Sequence, residues 1–499
     1  MTFVAIGAFA VLIPAAIAGG IVAWWKRGRL VGRLAGAVAV LAVVLTAATG
    51  GIVWLFDARF NPDPPEADYP KPTDALDAQR QDLDYFRKLV AMDRSFPTAA
   101  RATADRRIDA LAARTDALDR SHFRAVLLEI AALADNGHTS VSSKENPNGR
   151  SKQFPIRLSS FADGIYVMRA EKANADLLGA RVVAIDGKPI DQVLSALMTL
   201  YGGTEAWRRS YAALVMNLSE FLHGVDISPS PERSSWTFVT PSGETVQREL
   251  AAYQPEYQEA FPEQWRWMSP EPVAGDPHDW QVAMPDAAAL PLADAEKTFR
   301  RVWIDGTCIL YLQMKANQDA GGESISDFLD AAEADMRDRK PCSVILDLRF
   351  NGGGDYTNTA GFAGRLPGRV GPDGHIYMLT GTGTFSAGIT TAVFVKQAAE
   401  PSPITIVGEP VGDRMAFWAE GNRACLPNAP FCFRYSTGMH DYVNGCTEWK
   451  DCLWLNRIYP ARTSSLEPDE TIIPNFADWK AGRDPAFDRA LALAKARAE

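Results

Sequence analysis

Two stretches of this sequence combine residue types that suit acyl-transfer chemistry. Gly381-Thr382-Gly383-Thr384-Phe385-Ser386-Ala387-Gly388 follows an apolar run at 376–380 and leads into a helix-like stretch over 387–399. A serine at a strand-to-helix turn holds its hydroxyl at the positive end of the helix dipole. The Ala387 N–H is then placed to stabilise charge on a carbonyl attacked by Ser386. The competing reading is a plain helix N-cap, the commonest role of serine in that place. The second stretch, Asp347-Leu348-Arg349-Phe350-Asn351-Gly352-Gly353-Gly354-Asp355, begins in a strand and ends in three glycines. Without side chains in the way, backbone N–H groups converge on an oxyanion, which makes Gly352 and Gly353 candidate donors. A glycine turn after a strand explains the same residues without chemistry. Neither Gly-Lys-Ser/Thr nor G-x-G-x-x-G is present here, so a phosphate loop is not indicated.

These motifs need elements to hold them. Over the last 200 residues strands and helices alternate: strand-like runs at 308–313, 343–348 and 376–380, helices at 324–337 and 387–399. Such alternation predicts α/β layers around parallel strands. Upstream, residues 74–145 predict a helical domain. Leu76, Leu83, Phe86, Leu89 and Val90 recur at helical spacing after Thr73, the expected N-cap, and Phe123, Val126, Leu127, Ile130 and Leu133 form one apolar face. Asp135-Asn136-Gly137 stops that last helix, and His138 follows at once. Residues 152–250 predict short strands, at 164–168 and 180–185, with a tight turn at Asp186-Gly187. Part of this segment resembles the second half of a PDZ domain. Residues 230–295 show no clear element.

Net charge is -10, which argues against a nucleic-acid partner. Residues 3–25 and 34–56 lack charge, and each is long enough for a membrane helix. Lys26, Arg27, Arg29 and Arg33 between them predict a cytoplasmic turn, leaving residues 58–499 on the extracytoplasmic side. An internal signal peptide over the second run is the alternative. Residues 58–73, with five prolines at 62, 64, 65, 70 and 72, form an extended linker. The expected location is an inner membrane of bacterial type, with the catalytic domain periplasmic. Cys425, Cys432, Cys446 and Cys452 then predict two disulfides of open connectivity. Cys308 and Cys342 sit on two strand-like runs and either pair, if those strands are neighbours, or stay as two buried free thiols. No cysteine or histidine spacing predicts a metal, and no cofactor is expected.

Strand–DLRFNGGG followed about thirty residues later by strand–TFSAG–helix resembles the C-terminal processing (tail-specific) serine peptidases, a family that includes tricorn-like peptidases and retinoid-binding relatives. Val407-Gly408-Glu409-Pro410-Val411-Gly412 and Leu466-Glu467-Pro468-Asp469 add to the likeness, which runs over roughly residues 74–499. The resemblance implies a crotonase- or ClpP-like α/β core over 296–499, with Ser386 as nucleophile. One departure matters. Where many members carry a lysine base, this chain has Gly412-Asp413-Arg414, and arginine cannot act as a base. Lys396 lies ten residues along the nucleophile helix, roughly 15 Å away by helical rise. Asp135-Asn136-Gly137-His138-Thr139 resembles the segment that supplies a histidine base in tricorn-like relatives. His138 is therefore the expected base, although a helix C-cap role fits it too. Glu409, Asp413 and Asp441 are unranked candidates for an orienting carboxylate. His440, beside Asp441, is the runner-up base.

Three functions follow: a serine endopeptidase acting on extracytoplasmic proteins or peptides, an inactive binding protein of the same fold, or an esterase or amidase using the same chemistry.

Overall fold

The computed structural model describes residues 29–144, 151–255, 268–271, 280–284, 288–371, 373–400 and 404–498. The first expected span, 3–25, lies outside them. The second is one continuous helix, α1 (Arg29–Phe60). Its stretch Val40–Phe60 is long and apolar enough to cross a bilayer, with Leu41, Leu45, Ile52 and Trp54 all exposed. Among the described residues it is the one helix of that kind. The chain through Asp63 forms one compact unit, and Pro64–Glu499 forms another.

Within the larger unit, α2 (Ala75–Met92), α3 (Thr98–Ala112) and α4 (Arg120–Ala132) form the helical region. The cap of α2 is Asp74, one residue beyond the threonine expected, because its carboxylate accepts from Asp77 N. A short strand follows, β1 (Ser140–Ser143). Next come β2 (Ile156–Phe161), β3 (Gly164–Glu171), β4 (Arg181–Ile185), α5 (Ile190–Met198), α6 (Glu205–Val215), α7 (Ser219–Gly224), β5 (Arg233–Val239) and β6 (Thr245–Ala251). The strands lie in the order β2-β3-β4-β5-β6, antiparallel throughout, with β2 at the edge. Ser234, Trp236 and Phe238 alternate inward along β5, a period-two signal present in a stretch from which no element was expected.

The C-terminal part contains β7 (Phe299–Trp303), β8 (Ile309–Met314), α8 (Ile325–Arg339), β9 (Ser343–Asp347), α9 (Thr357–Arg365), β10 (His375–Thr380), α10 (Ala387–Ala399) and β11 (Thr405–Gly408). Strands β8, β9, β10 and β11 pair in parallel, and β7 closes one edge antiparallel. Every residue of β8 and β9 is buried, as expected for parallel strands covered on both faces. Helix α11 (Pro485–Ala498) covers one face, packing Phe487 and Ala490 against Tyr311, Ile345 and Leu379.

After β11 come four short strands in succession: β12 (Ala416–Ala419), β13 (Asn422–Cys425), β14 (Phe431–Tyr435) and β15 (Gly438–Asp441). β14 pairs antiparallel with β1, so this segment joins the helical region. Phe431, Phe433 and Tyr435 share one core with Phe86, Leu127, Ile156 and Trp236. All six cysteines are paired, as Cys308–Cys342, Cys425–Cys432 and Cys446–Cys452. Cys308 and Cys342 stand at the start of neighbouring parallel strands, with Cys342 N donating to Cys308 O at 3.0 Å. This bridge closes a separation of 34 residues. Replacing both cysteines by alanine is expected to cost roughly 2–4 kcal/mol, read as a lower urea midpoint. An unchanged midpoint would show that the bridge constrains nothing.

Candidate active site

Strand β10 ends at Thr380, and the chain turns through 381–385 into α10. Ser386 stands at that turn with φ 53° and ψ −125°, a backbone region that costs a non-glycine residue energy. Its side chain makes no capping hydrogen bond to α10, so the N-cap explanation of this serine fails on geometry. Its hydroxyl is left available at the first turn of a helix.

The glycine loop lies directly against it. A Cβ on Gly353 would sit 2.7 Å from Ser386 Cβ and 3.1 Å from both Ser386 Oγ and Ala387 N, and φ there is +112°. Glycine is thus required for the loop to meet the serine turn. Gly353 N–H donates to Asn351 Oδ1 at 3.1 Å, whereas Gly352 is exposed, with no hydrogen bond to its N–H among the described residues. Phe385 N donates to Asn351 O at 2.9 Å, locking turn and loop together. The start of the motif is structural. Asp347 holds Arg349 at 2.7 Å, and Arg349 reaches Asp484 at 2.8 Å at the head of α11.

The loop that carries His138 packs on Phe385 of the serine turn. Flanking residues fix its loop: Thr139 Oγ1 donates to the buried Asp93 at 2.7 Å, and Asn136 Nδ2 donates to Ser436 Oγ at 3.1 Å. The imidazole is buried between two phenyl rings, Phe385 at 4.4 Å and Phe417 at 5.2 Å between centroids. The stack continues to Trp207 beyond Phe385 (4.4 Å) and to His440 beyond Phe417 (5.0 Å). His138 Nδ1 lies 3.6 Å from Asp413 Oδ2, an ion-pair distance but longer than a hydrogen bond. Among the described residues neither ring nitrogen has a hydrogen-bond partner, and no hydrogen bond joins His138 to Ser386. Burial pushes the His138 pKa below the ordinary histidine value, against the opposing pull of Asp413.

The structure separates the three carboxylate candidates. Asp413 faces His138. Asp441 caps a turn, accepting from Val443 N at 3.1 Å and Asn444 N at 3.0 Å. Glu409 is raised above the usual carboxylate range by burial and lines a groove of about 260 Å³ between β2 and α6, with Ser159, Ser160, Arg209, Ser210 and Thr382. Arg414, in the place expected of a lysine, donates twice to Asp135 at 2.8 Å and so anchors the His138 loop. Lys396 is bound to Ser465 O at 2.7 Å. His440 pairs not with Asp441 but with Glu420, at 3.3 Å, and with the Tyr442 hydroxyl at 3.0 Å. Burial alone would raise Glu420; the His440 hydrogen bond and the charges of His440, His138 and Arg434 together outweigh it and hold the carboxyl low. Sequence reasoning missed this pair because it depends on the register that sets Phe417 opposite His440.

The sequence matches no known family model and no curated protein. Solved structures do match. A mutant of CPAF superposes with TM-score 0.54 at 14% identity, over 85% of this chain and 98% of that one. Mature CPAF complexed with lactacystin gives 0.51 at 13% identity, over 85% and 98%. The chain has the fold of CPAF. The expected mixed α/β architecture, with a helical region ahead of a parallel-sheet core, is therefore the observed one.

Proposed function

We propose that this chain is a serine peptidase in which Ser386 attacks the scissile carbonyl. The observation that carries this reading is the strained, uncapped Ser386 at the head of α10, seated on a glycine loop that no other residue could form. In this mechanism His138, oriented by Asp413, takes the serine proton. The Ala387 and Gly352 or Gly353 N–H groups receive the oxyanion. Since no hydrogen bond joins His138 to Ser386, substrate binding must draw the ring and hydroxyl together, as catalytic hydrogen bonds often tighten only in the complex. The stacked rings of Phe385 and Phe417 would then keep water from the imidazole.

The substrate in this reading is an extended polypeptide. It adds alongside the edge strand β2, in the groove that runs from Ser159 and Arg209 to Thr382 in the serine loop. This gives the PDZ-like segment its role, and tail-specific cleavage would follow if the groove selects chain ends. With α1 as anchor, the enzyme would act on extracytoplasmic proteins at the membrane surface. The second reading, an inactive binding protein, is favoured by the same missing His138–Ser386 bond.

A fluorophosphonate probe separates the two. The purified protein is expected to be labelled at Ser386, and Ser386→Ala to abolish labelling. A folded wild-type protein that stays unlabelled would favour the binding protein. Lactacystin, bound in one CPAF structure, is a natural competitor to try.

A further inference from the structure

Away from Ser386, four side chains converge where α4 meets α7. The two helices approach closely: a Cβ on Gly224 would sit 2.5 Å from Ser121 O. That contact brings together two mirrored spacings, Asp119-x-x-His122 and His223-x-x-Asp226, about a hundred residues apart in sequence. Asp119 Oδ2 lies 2.5 Å from His122 Nδ1 and 3.9 Å from His223 Nε2. One donor atom from each of these three residues falls within 4.8 Å of the others.

The outer ring nitrogens are engaged. His122 Nε2 is 3.2 Å from Asp226 Oδ1, and His223 Nδ1 is 2.9 Å from the Ser228 carbonyl. If each outer nitrogen carries its proton, His122 Nδ1 and His223 Nε2 present lone pairs, and both face the Asp119 carboxylate. A proton on His122 Nδ1 satisfies its 2.5 Å contact with Asp119 as a hydrogen bond; a metal ion in that proton's place would join His223 Nε2 to the same centre. Metal-bound histidines have this arrangement, the far N–H held by a carboxylate or a carbonyl.

We propose that Asp119, His122 and His223 bind a divalent transition metal of the zinc type, with Asp226 and Ser228 positioning the two imidazoles. This reverses the expectation of no metal, which rested on local spacing alone. Nitrogen and oxygen donors suit zinc, cobalt or nickel. Bonds of 2.0–2.2 Å place tetrahedral donors roughly 3.4 Å apart, so the Asp119 carboxylate would turn from His122 Nδ1 towards His223 Nε2 to admit the ion. A fourth position stays open to water, since Asp119 and Asp226 reach the surface. The metal would clamp α7 to the helix whose far end leads into the His138 loop. The site is separate from the Ser386 centre and independent of what Ser386 does.

The test uses the full-length protein in detergent, stripped with a chelator and dialysed against Zn²⁺ or Co²⁺ alone. One metal per chain is expected by elemental analysis. The cobalt form should show visible bands of four- or five-coordinate geometry, and zinc should raise the thermal midpoint. His122→Gln/His223→Gln should lose the bound metal and the thermal shift while keeping its circular dichroism. Asp226→Asn, which touches no metal, should weaken affinity by about 10–100-fold. The proposal is overturned if wild type retains neither zinc nor cobalt, or if the folded double variant binds like wild type. Should the double variant fail to fold, an unchanged affinity in Asp226→Asn overturns it instead.

Discussion

Ser386→Ala is expected to lower peptide turnover by at least about 10⁴-fold, the scale on which loss of a serine nucleophile is felt, with no loss of stability. The second half of that expectation is the more specific. An ordinary N-cap serine contributes about 0.5–2 kcal/mol to its helix. Ser386 makes no capping bond, so its hydroxyl contributes nothing of that kind to α10. Its backbone, at φ 53° and ψ −125°, belongs to a class costing about 1–3 kcal/mol outside glycine. Ser386→Gly should therefore be equally inactive yet more stable, by about 1 kcal/mol once the extra freedom of glycine in the unfolded chain is deducted. Stability is read from chemical denaturation and turnover from a quenched fluorescent peptide. A Ser386→Ala enzyme with substantial turnover would place the nucleophile elsewhere. A Ser386→Gly protein less stable than wild type would show that the turn is not strained.

Elements with strong local signals were legible in the sequence. The parallel core was readable because β9 and β10 are nearly continuous apolar runs, which only strands covered on both faces require. The place of Ser386 between a strand and a helix was readable because an apolar run precedes it and a helix-like stretch follows. Features made by distant segments were not. The four- and five-residue strands β12 to β15 are too short for a period to show, so no strand was expected in a segment that is paired sheet. Asp413 could not be ranked above Glu409 or Asp441, because only the folded contact between its loop and the 135–139 loop sets it beside His138. The Glu420–His440 pair and the Asp119, His122, His223 cluster were hidden for the same reason. Sequence spacing reveals partners on one turn or one strand, whereas these partners meet through packing.

His138→Ala is expected to lower turnover by about 10²–10⁴-fold, and the double variant with Ser386→Ala should be little worse than Ser386→Ala alone, because base and nucleophile act as a unit. The pH profile gives the sharper test. A general base must be unprotonated, so kcat/KM rises as pH passes upward through the histidine pKa and then levels off. Burial between Phe385 and Phe417 disfavours the charged ring, so the rising limb should lie below the ordinary value of about 6.5. Asp413 opposes that shift by favouring the imidazolium. Asp413→Asn should then move the limb to still lower pH while lowering the plateau by at least about tenfold. A purely structural role for Asp413 would lower the plateau and leave the limb in place. Phe417 lies between the His138 ring and the Glu420–His440 pair, and the His440 charge is the smallest of the influences that lower His138, so His440→Gln should move the limb only slightly, to higher pH. If instead His440→Gln removed the limb and His138→Ala kept near-wild-type turnover, His440 would be the base. His138 would then be a buried ring that only joins the 135–139 loop to the aromatic stack.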